Sequence, residues 1–320
     1  MGRTRGALRR STVERGLLVL GGLLAGLVLL EIGVRVGFGD RLENVYEVPF
    51  EYMATSDVPG VPYLYRADIE EFTNNLGLRM PHDVPAIKPS GSLRLLLLAD
   101  SAGESIDGGA GTGDLFPCLL EGLLEARLGR KVEVLNLSVP GLSFEQERLL
   151  LEDRLRTWDA DAAIIAFNYN DPVETNVREL LNIPVQHWFE LANAVLLVRY
   201  QLRQREGDWY TPGSEIYQEL EASFAALGRT ARGFPVFLAP LPLNFPPERP
   251  QPHIPTVTEL CGRNGVPVLD VYSAVREDLP GFMMPDASED WNHYNARGHA
   301  AIARALAERL EPHLRPLAHP

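Results

Sequence analysis

Leu93-Arg94-Leu95-Leu96-Leu97-Leu98-Ala99-Asp100-Ser101 is the stretch from which the rest of the chain is read. The run from Leu93 to Ala99 is almost continuously apolar, too short for an ordinary helix and closed by Asp-Ser. That is the pattern of a strand buried on both faces of a parallel sheet. Just downstream the period changes. Between Leu115 and Leu128 the leucines 115, 119, 120, 123 and 124 fall on one helical stripe, with Gly129 as the stop.

The same unit then repeats. Val132 to Leu135 reads as a strand, Ser143 to Trp158 as a helix opened by a Ser143/Gln146 capping box, and Ala162 to Phe167 as another buried strand. Farther on come a helix at Glu215–Leu227, a strand at Pro235–Ala239, a helix near Thr256–Arg263, a strand at Val266–Val271 and a last helix at Ala296–Leu310. Alternating buried strands and helices predict an α/β fold: a three-layer α/β/α sandwich on a central parallel five-stranded sheet, flavodoxin-like in plan. The expected domain is 92–313, with a tail at 314–320. Between 172 and 213 the alternation fails, and Trp188, Phe189, Leu191, Val195, Leu196, Leu197 and Tyr200 read as a helical insertion. Insertions at strand C-terminal ends sit where open α/β sheets bind ligands, so a lid is the expectation, with additional core packing as the alternative.

The N-terminus supplies the compartment. Gly16 to Leu30 is uncharged and leucine-rich, and with Glu31 to Phe38 it reaches spanning length. Arg3, Arg5, Arg9, Arg10 and Arg15 precede it against Glu14 alone, so the positive-inside bias places the N-terminus in the cytoplasm and the remainder outside. Residues 1–39 are therefore expected to be a basic tail and an uncleaved transmembrane signal-anchor in the lipid bilayer; the rival reading is a cleaved signal peptide, for which no convincing small-x-small cleavage site follows the apolar core. A Glu31/Arg35 pair one turn apart is expected on it. Residues 40–91, rich in proline, tyrosine and acidic side chains without a sustained period, read as a spacer packing on the main domain. The formal net charge is −13. With the basic segment set apart, the remainder is more acidic still and repels phosphate backbones, which argues against nucleic-acid binding. Cys118 and Cys261 lie far apart on expected amphipathic helices and read as small buried apolar residues.

Four strand ends carry chemistry. Ser101 comes directly after the first strand. A serine hydroxyl is a weak nucleophile at its own pKa and needs a base, for which histidine titrates in the useful range. Asp290-Trp291-Asn292-His293, just before the last helix, offers such a base with a carboxylate three residues away to orient it. Asn136-Leu137-Ser138-Val139-Pro140-Gly141 succeeds the second strand and Asn168-Tyr169-Asn170-Asp171 the third. They contribute a glycine that lets backbone approach a ligand and an amide that can donate to an oxyanion.

In this order the four blocks resemble those of SGNH (GDSL-like) hydrolases. The lead-in Asn74-Asn75-Leu76-Gly77-Leu78-Arg79 and the ending His293-Tyr294-Asn295-Ala296-Arg297-Gly298-His299 look like those of membrane-anchored bacterial members. The resemblance covers roughly Asn74 to Leu310. It implies a serine esterase acting on an O-acyl ester, a carbohydrate acetyl or a lipid ester, through an acyl-serine. Ser101 would be the nucleophile, His293 the general base then acid, and Asp290 its orienting carboxylate. The oxyanion hole would comprise the Ser101 and Gly141 backbone N–H groups and the Asn170 side chain, with Asp100 and Asp171 supporting. No cofactor and no metal is implied. The implied partners are a small-molecule or glycan ester substrate and the bilayer. Ala99 and Asn168 depart from the pattern, each standing where the family has glycine.

Other features read as structural. Gly108 to Gly113 matches neither a dinucleotide fingerprint nor a P-loop and is expected to be a loop beside Ser101. The α/β-hydrolase elbow G-x-S-x-G is absent. His299 reads as a packed or capping residue of the last helix, and Trp188 and Trp209 as packing residues. Two further functions fit the same blocks: a catalytically silent domain that binds an envelope polysaccharide or an assembly partner, and an O-acetyltransferase acting on a glycan.

Overall fold

The computed structural model describes residues 4–43, 52–104, 110–173, 209–243, 251–283 and 293–318. The described residues divide into two compact units, one holding 4–43 and the other those from 52 onward. In the first, α1 (Thr4–Glu43) contains a 24-residue stretch, Glu14–Gly37, with a mean hydropathy of 2.5. At 1.5 Å per residue it extends about 36 Å, enough to cross a bilayer core of about 30 Å. Arg35 Nε donates to Glu31 Oε1 at 2.7 Å, the i,i+4 pair expected there.

In the second unit, β1 (Met53–Thr55) and β2 (Tyr63–Tyr65) form an antiparallel pair with Ala54 opposite Leu64. Then come β3 (Leu93–Leu98), α2 (Phe116–Leu128), β4 (Val132–Asn136), α3 (Phe144–Thr157) and β5 (Ala162–Phe167). The chain continues through α4 (Glu215–Ala231), β6 (Val236–Pro240), α5 (His253–Asn264), the short α6 (Tyr272–Val275) and α7 (Ala296–Leu314). The main sheet is parallel in the order β4-β3-β5-β6, with Leu95 opposite both Val134 and Ala162.

Alternation along the strands builds two cores. Leu96, Leu98, Leu135, Ile165 and Leu238 face α3, α4 and α5. Leu93, Leu95, Leu97, Val134, Ile164 and Phe237 face α2 and α7. Leu95 to Leu98 have no exposed surface, and burying each contributes about 2 kcal/mol. The helix stops are chemical. Gly129 and Gly265 adopt the left-handed conformation (φ 66° and 69°) at the ends of α2 and α5, and the Ser143/Gln146 capping box opens α3.

The expected fifth strand at Val266–Val271 needs correction, since among the described residues the main sheet has four strands. The segment reaches the edge of the sheet but forms one parallel bridge, Leu238 opposite Val268. Leu238 N–H donates to Pro267 O, and Leu269 N–H to Leu238 O. The next ladder bond on one side would come from the nitrogen of Pro267 and on the other from that of Pro240. Neither carries a hydrogen, so the ladder ends after one step.

Residues 52–84 also take their shape from local chemistry. Asn74 Oδ1 accepts from Leu76 N and Leu78 N, closing a tight turn. Gly77 sits in it at φ +73°, where a Cβ would stand 2.6 Å from Tyr65 O. From this framework Val58, Val61, Tyr63, Tyr65, Leu78, Met80 and Val84 enter the core on the α3 side. Cys118 and Cys261 are free thiols; burial first, aided at Cys118 by the Glu121 charge, pushes both pKa values up to about 12.

Candidate active site

Strands β4 and β5 lie on opposite sides of β3, so the chain reverses its direction of winding there and leaves a crevice at the strand C-terminal ends. Ser101 enters that crevice directly after β3, in a 3₁₀ turn, Ser101–Gly103. Asp100 caps the turn, accepting from Ala102 N at 2.8 Å, and Glu104 N–H closes it on Ser101 O at 3.0 Å. The turn fits because residue 103 is glycine. A Cβ there would overlap the Ser138 hydroxyl and stand 2.8 Å from the Ala99 methyl. The Ala99 methyl is thus accommodated by the missing one at Gly103.

His293 comes from the other end of the chain. Its Nε2 lies 2.8 Å from Ser101 Oγ, across 192 residues of sequence. Its placement is fixed by its neighbours. Tyr294, 1% exposed, bridges Met283 and donates its hydroxyl to Pro242 O. Asn295 caps α7 by accepting from Gly298 N, while its amide reaches Gly281 O and Met283 O. Asp290 lies outside the described residues, as do 174–208 of the insertion, including Trp188, and 105–109 of the glycine-rich loop. Trp209 and Tyr210 pack on Tyr169, and Tyr210 donates to Tyr169 O at 2.6 Å.

Asp100 joins the β3 and β5 loops. Besides the Ala102 amide it accepts both the Asn168 side-chain amide, 3.2 Å from each carboxylate oxygen, and the Asn170 amide at 2.8 Å. Asn168 is therefore a tie across the crevice. Asn170 Nδ2 has one hydrogen engaged with Asp100 and a second for another acceptor. Asp171 closes the β5 loop by accepting from Asn168 N at 2.7 Å. In the loop after β4, Gly141 adopts φ +73°, and Tyr63 of β2 donates to Pro140 O at 2.8 Å.

Two further carboxyls lie close behind. Burial raises the pKa of Glu147 well above the carboxylate range, and the Asp100 charge adds to it. Burial also raises Asp171, helped by the Glu147 and Asp100 charges against the lowering effect of the Asn168 N–H. Both oxygens of Glu147 are buried with no hydrogen-bond partner among the described residues, a state that disfavours the charged form. His299 is buried at the start of α7, but it caps another helix: its Nδ1 accepts from Phe116 N of α2 at 3.2 Å. Burial, with a smaller effect of the His293 charge, lowers its pKa to about 4. Among the described residues no group of three His, Cys, Asp or Glu side chains is arranged to hold a metal.

Sequence reasoning passed over Tyr63, Tyr65, Glu104 and Glu147. Tyr65 donates its hydroxyl to Glu104 Oε2, and the Arg79 guanidinium stands 3.9 Å from the same oxygen. The available signal was the spacing of two tyrosines two residues apart in a segment without other periodicity. A cavity of about 370 Å³ runs beside this region, lined by Leu64, Tyr65, Leu78, Leu137, Val139 and Trp158 among others. Neither Ser101 nor His293 lines it.

No protein-family model matches the chain. No curated protein matches it either. Among solved structures it is similar to LAE5, an alpha/beta hydrolase enzyme from the metagenome of Lake Arreo (19% identity, 68% of this chain and 94% of that one, TM-score 0.46). It is also similar to TesA (16%, 68% and 98%, 0.45) and to Axe2, an acetylxylan esterase from Geobacillus stearothermophilus (18%, 71% and 96%, 0.45).

Proposed function

We propose that this chain is a membrane-tethered serine hydrolase of the SGNH type, acting on an ester bond through an acyl-serine. The observation that carries the reading is the 2.8 Å contact between Ser101 Oγ and His293 Nε2 at the crevice where open α/β sheets bind ligands. Ser101 gives its proton to His293 Nε2 as Oγ bonds to the ester carbonyl carbon. The carbonyl oxygen becomes an oxyanion that receives the Ser101 and Gly141 N–H groups and the second hydrogen of the Asn170 amide. Collapse breaks the bond to the alkoxy oxygen, which leaves as an alcohol with the proton from His293. Water then repeats the sequence, releasing the acid and restoring the serine.

Asp290 is assigned to orient His293 and stabilise its protonated form. Asp100, with Asn168, holds the Asn170 donor in place, and Asp171 shapes the loop that carries it. The arginines that precede the apolar run support an orientation with the hydrolase outside the cytoplasm, in reach of O-acyl groups on envelope glycans or lipids. A panel of short-chain p-nitrophenyl esters and acetylated glycans, assayed with the full chain in detergent, tests this. Wild type is expected to turn over at least one of them, and Ser101→Ala to lose about a thousandfold or more of that rate. Undiminished turnover by Ser101→Ala overturns the assignment.

A further inference from the structure

We infer that β2 is a two-point positioning clamp for the catalytic loops, in which Tyr63 orients the Gly141 oxyanion donor and Tyr65 holds the turn of the nucleophile. The inference rests on the hydrolase reading above and names residues outside the four signature blocks that this reading uses.

Residues two apart in a strand point to the same face, and Tyr63 and Tyr65 are both buried while Leu64 between them is half-buried. Their hydroxyls end on different loops. Tyr63 donates to Pro140 O at 2.8 Å, and Tyr65 donates to Glu104 Oε2. These are the loops that bring Gly141 and Ser101 to the crevice.

The Tyr63 bond acts on the donor through the peptide plane. Pro140 O and Gly141 N–H belong to one peptide group, which is planar and, like every peptide in the described chain, not cis. In a trans peptide the N–H points opposite to the carbonyl, so fixing one end fixes the direction of the other. The site needs such fixing because Gly141, at φ +73°, has no side chain to restrict it, and glycine populates both signs of φ with comparable ease. Rotation of that single plane would turn the N–H away from the oxyanion. A hydrogen bond on the carbonyl also polarises the group and strengthens its N–H as a donor.

The Tyr65 arm works through Glu104. The Glu104 N–H closes the 3₁₀ turn on Ser101 O, so the side chain and backbone of one residue join β2 to the nucleophile. Glu104 is itself fixed, 1% exposed and faced by Arg79, whose guanidinium lies 4.0 Å over the Phe72 ring. Gly77 packs against the carbonyl of Tyr65, which ties the 74–79 turn to the same strand.

Tyr63→Phe and Tyr65→Phe keep the buried rings and remove only the hydroxyls. With the full chain in detergent and p-nitrophenyl acetate as substrate, each is expected to lower kcat tenfold or more with KM within twofold. Thermal melting of the same samples reports folding, and a purely structural role would move the melting temperature without this split. Should Tyr63→Phe not fold, the Tyr65 arm decides alone. Folded variants with wild-type kcat overturn the clamp while wild type remains active and Ser101→Ala inactive. A wild type without Ser101-dependent activity would instead sink the hydrolase reading on which the clamp depends.

Discussion

Asp100 carries more of the crevice than its position beside Ser101 suggests. Its carboxylate is fully buried and accepts three donors, the Ala102 N–H and the amides of Asn168 and Asn170. Replacing it with alanine leaves all three buried donors unpaired at about 1–3 kcal/mol each. Asp100→Ala is therefore expected to lose about 3 kcal/mol or more in urea unfolding and to abolish turnover; a stability within 1 kcal/mol of wild type would contradict this. Gly103 makes a second residue-level test. Gly103→Ala must displace Ser138 or the turn that carries Ser101, so activity is expected to fall at least tenfold in a chain that still folds. Ser101 and His293, which the fold brings within 2.8 Å, were readable as candidates because each proposed role requires a particular residue type just after a strand or just before a helix. Asn168 was legible only as a departure. Its use as a tie to Asp100 depends on which loops become neighbours, and one sequence does not show that.

Elements are legible where their ends are chemical. The run Ala162–Phe167 is the strand as predicted, Ser143 with Gln146 is the cap of α3, and Gly129 ends α2. The fifth strand was over-read because apolar runs do not report which backbone nitrogens must donate, and Pro240 and Pro267 remove the two that matter. The paired strands β1 and β2 were missed for another reason. Three residues each are too short for a period to appear, and what sets them is the burial of Tyr63 and Tyr65 in the core on the α3 side. At the other end of the chain, α7 holds His293 through close approach at Gly298, where a Cβ would overlap Phe282 O. Gly298→Ala is expected to lower the thermal midpoint by several degrees, corresponding to about 1–3 kcal/mol, and to cut kcat by displacing the base. An unchanged melting temperature would show that this approach is not a constraint.

At the scale of the whole molecule, buried ionisable groups set opposing responses to pH. His253 and His299 have pKa values lowered by burial from 6.5 to about 4. The unfolded chain therefore binds their protons first, and the stability they confer above pH 6.5 is lost as pH falls toward 4, about 3 kcal/mol for each. Glu147 and Asp171 act the other way. Their raised values mean that stability is full below the ordinary carboxylate range and is lost as pH rises through the folded-state values. Glu147→Gln removes one of these responses, so its melting temperature should exceed that of wild type at pH 8 and match it at pH 4; equal values at both would contradict a neutral buried Glu147. The division into an apolar N-terminal helix and an α/β sandwich was legible from composition and period, since both are averages over many residues. The partnership of residues 52–84 with the loops that carry Ser101 and Gly141 was not, because it rests on two hydroxyls. The central claim, an activated serine paired with a distant histidine, is tested most directly by the rate of labelling with a fluorophosphonate probe, with the modified peptide mapped. The expected result is a single adduct on Ser101, lost in Ser101→Ala and slowed at least a hundredfold in His293→Ala. Labelling elsewhere, or a wild-type rate in His293→Ala, would contradict it.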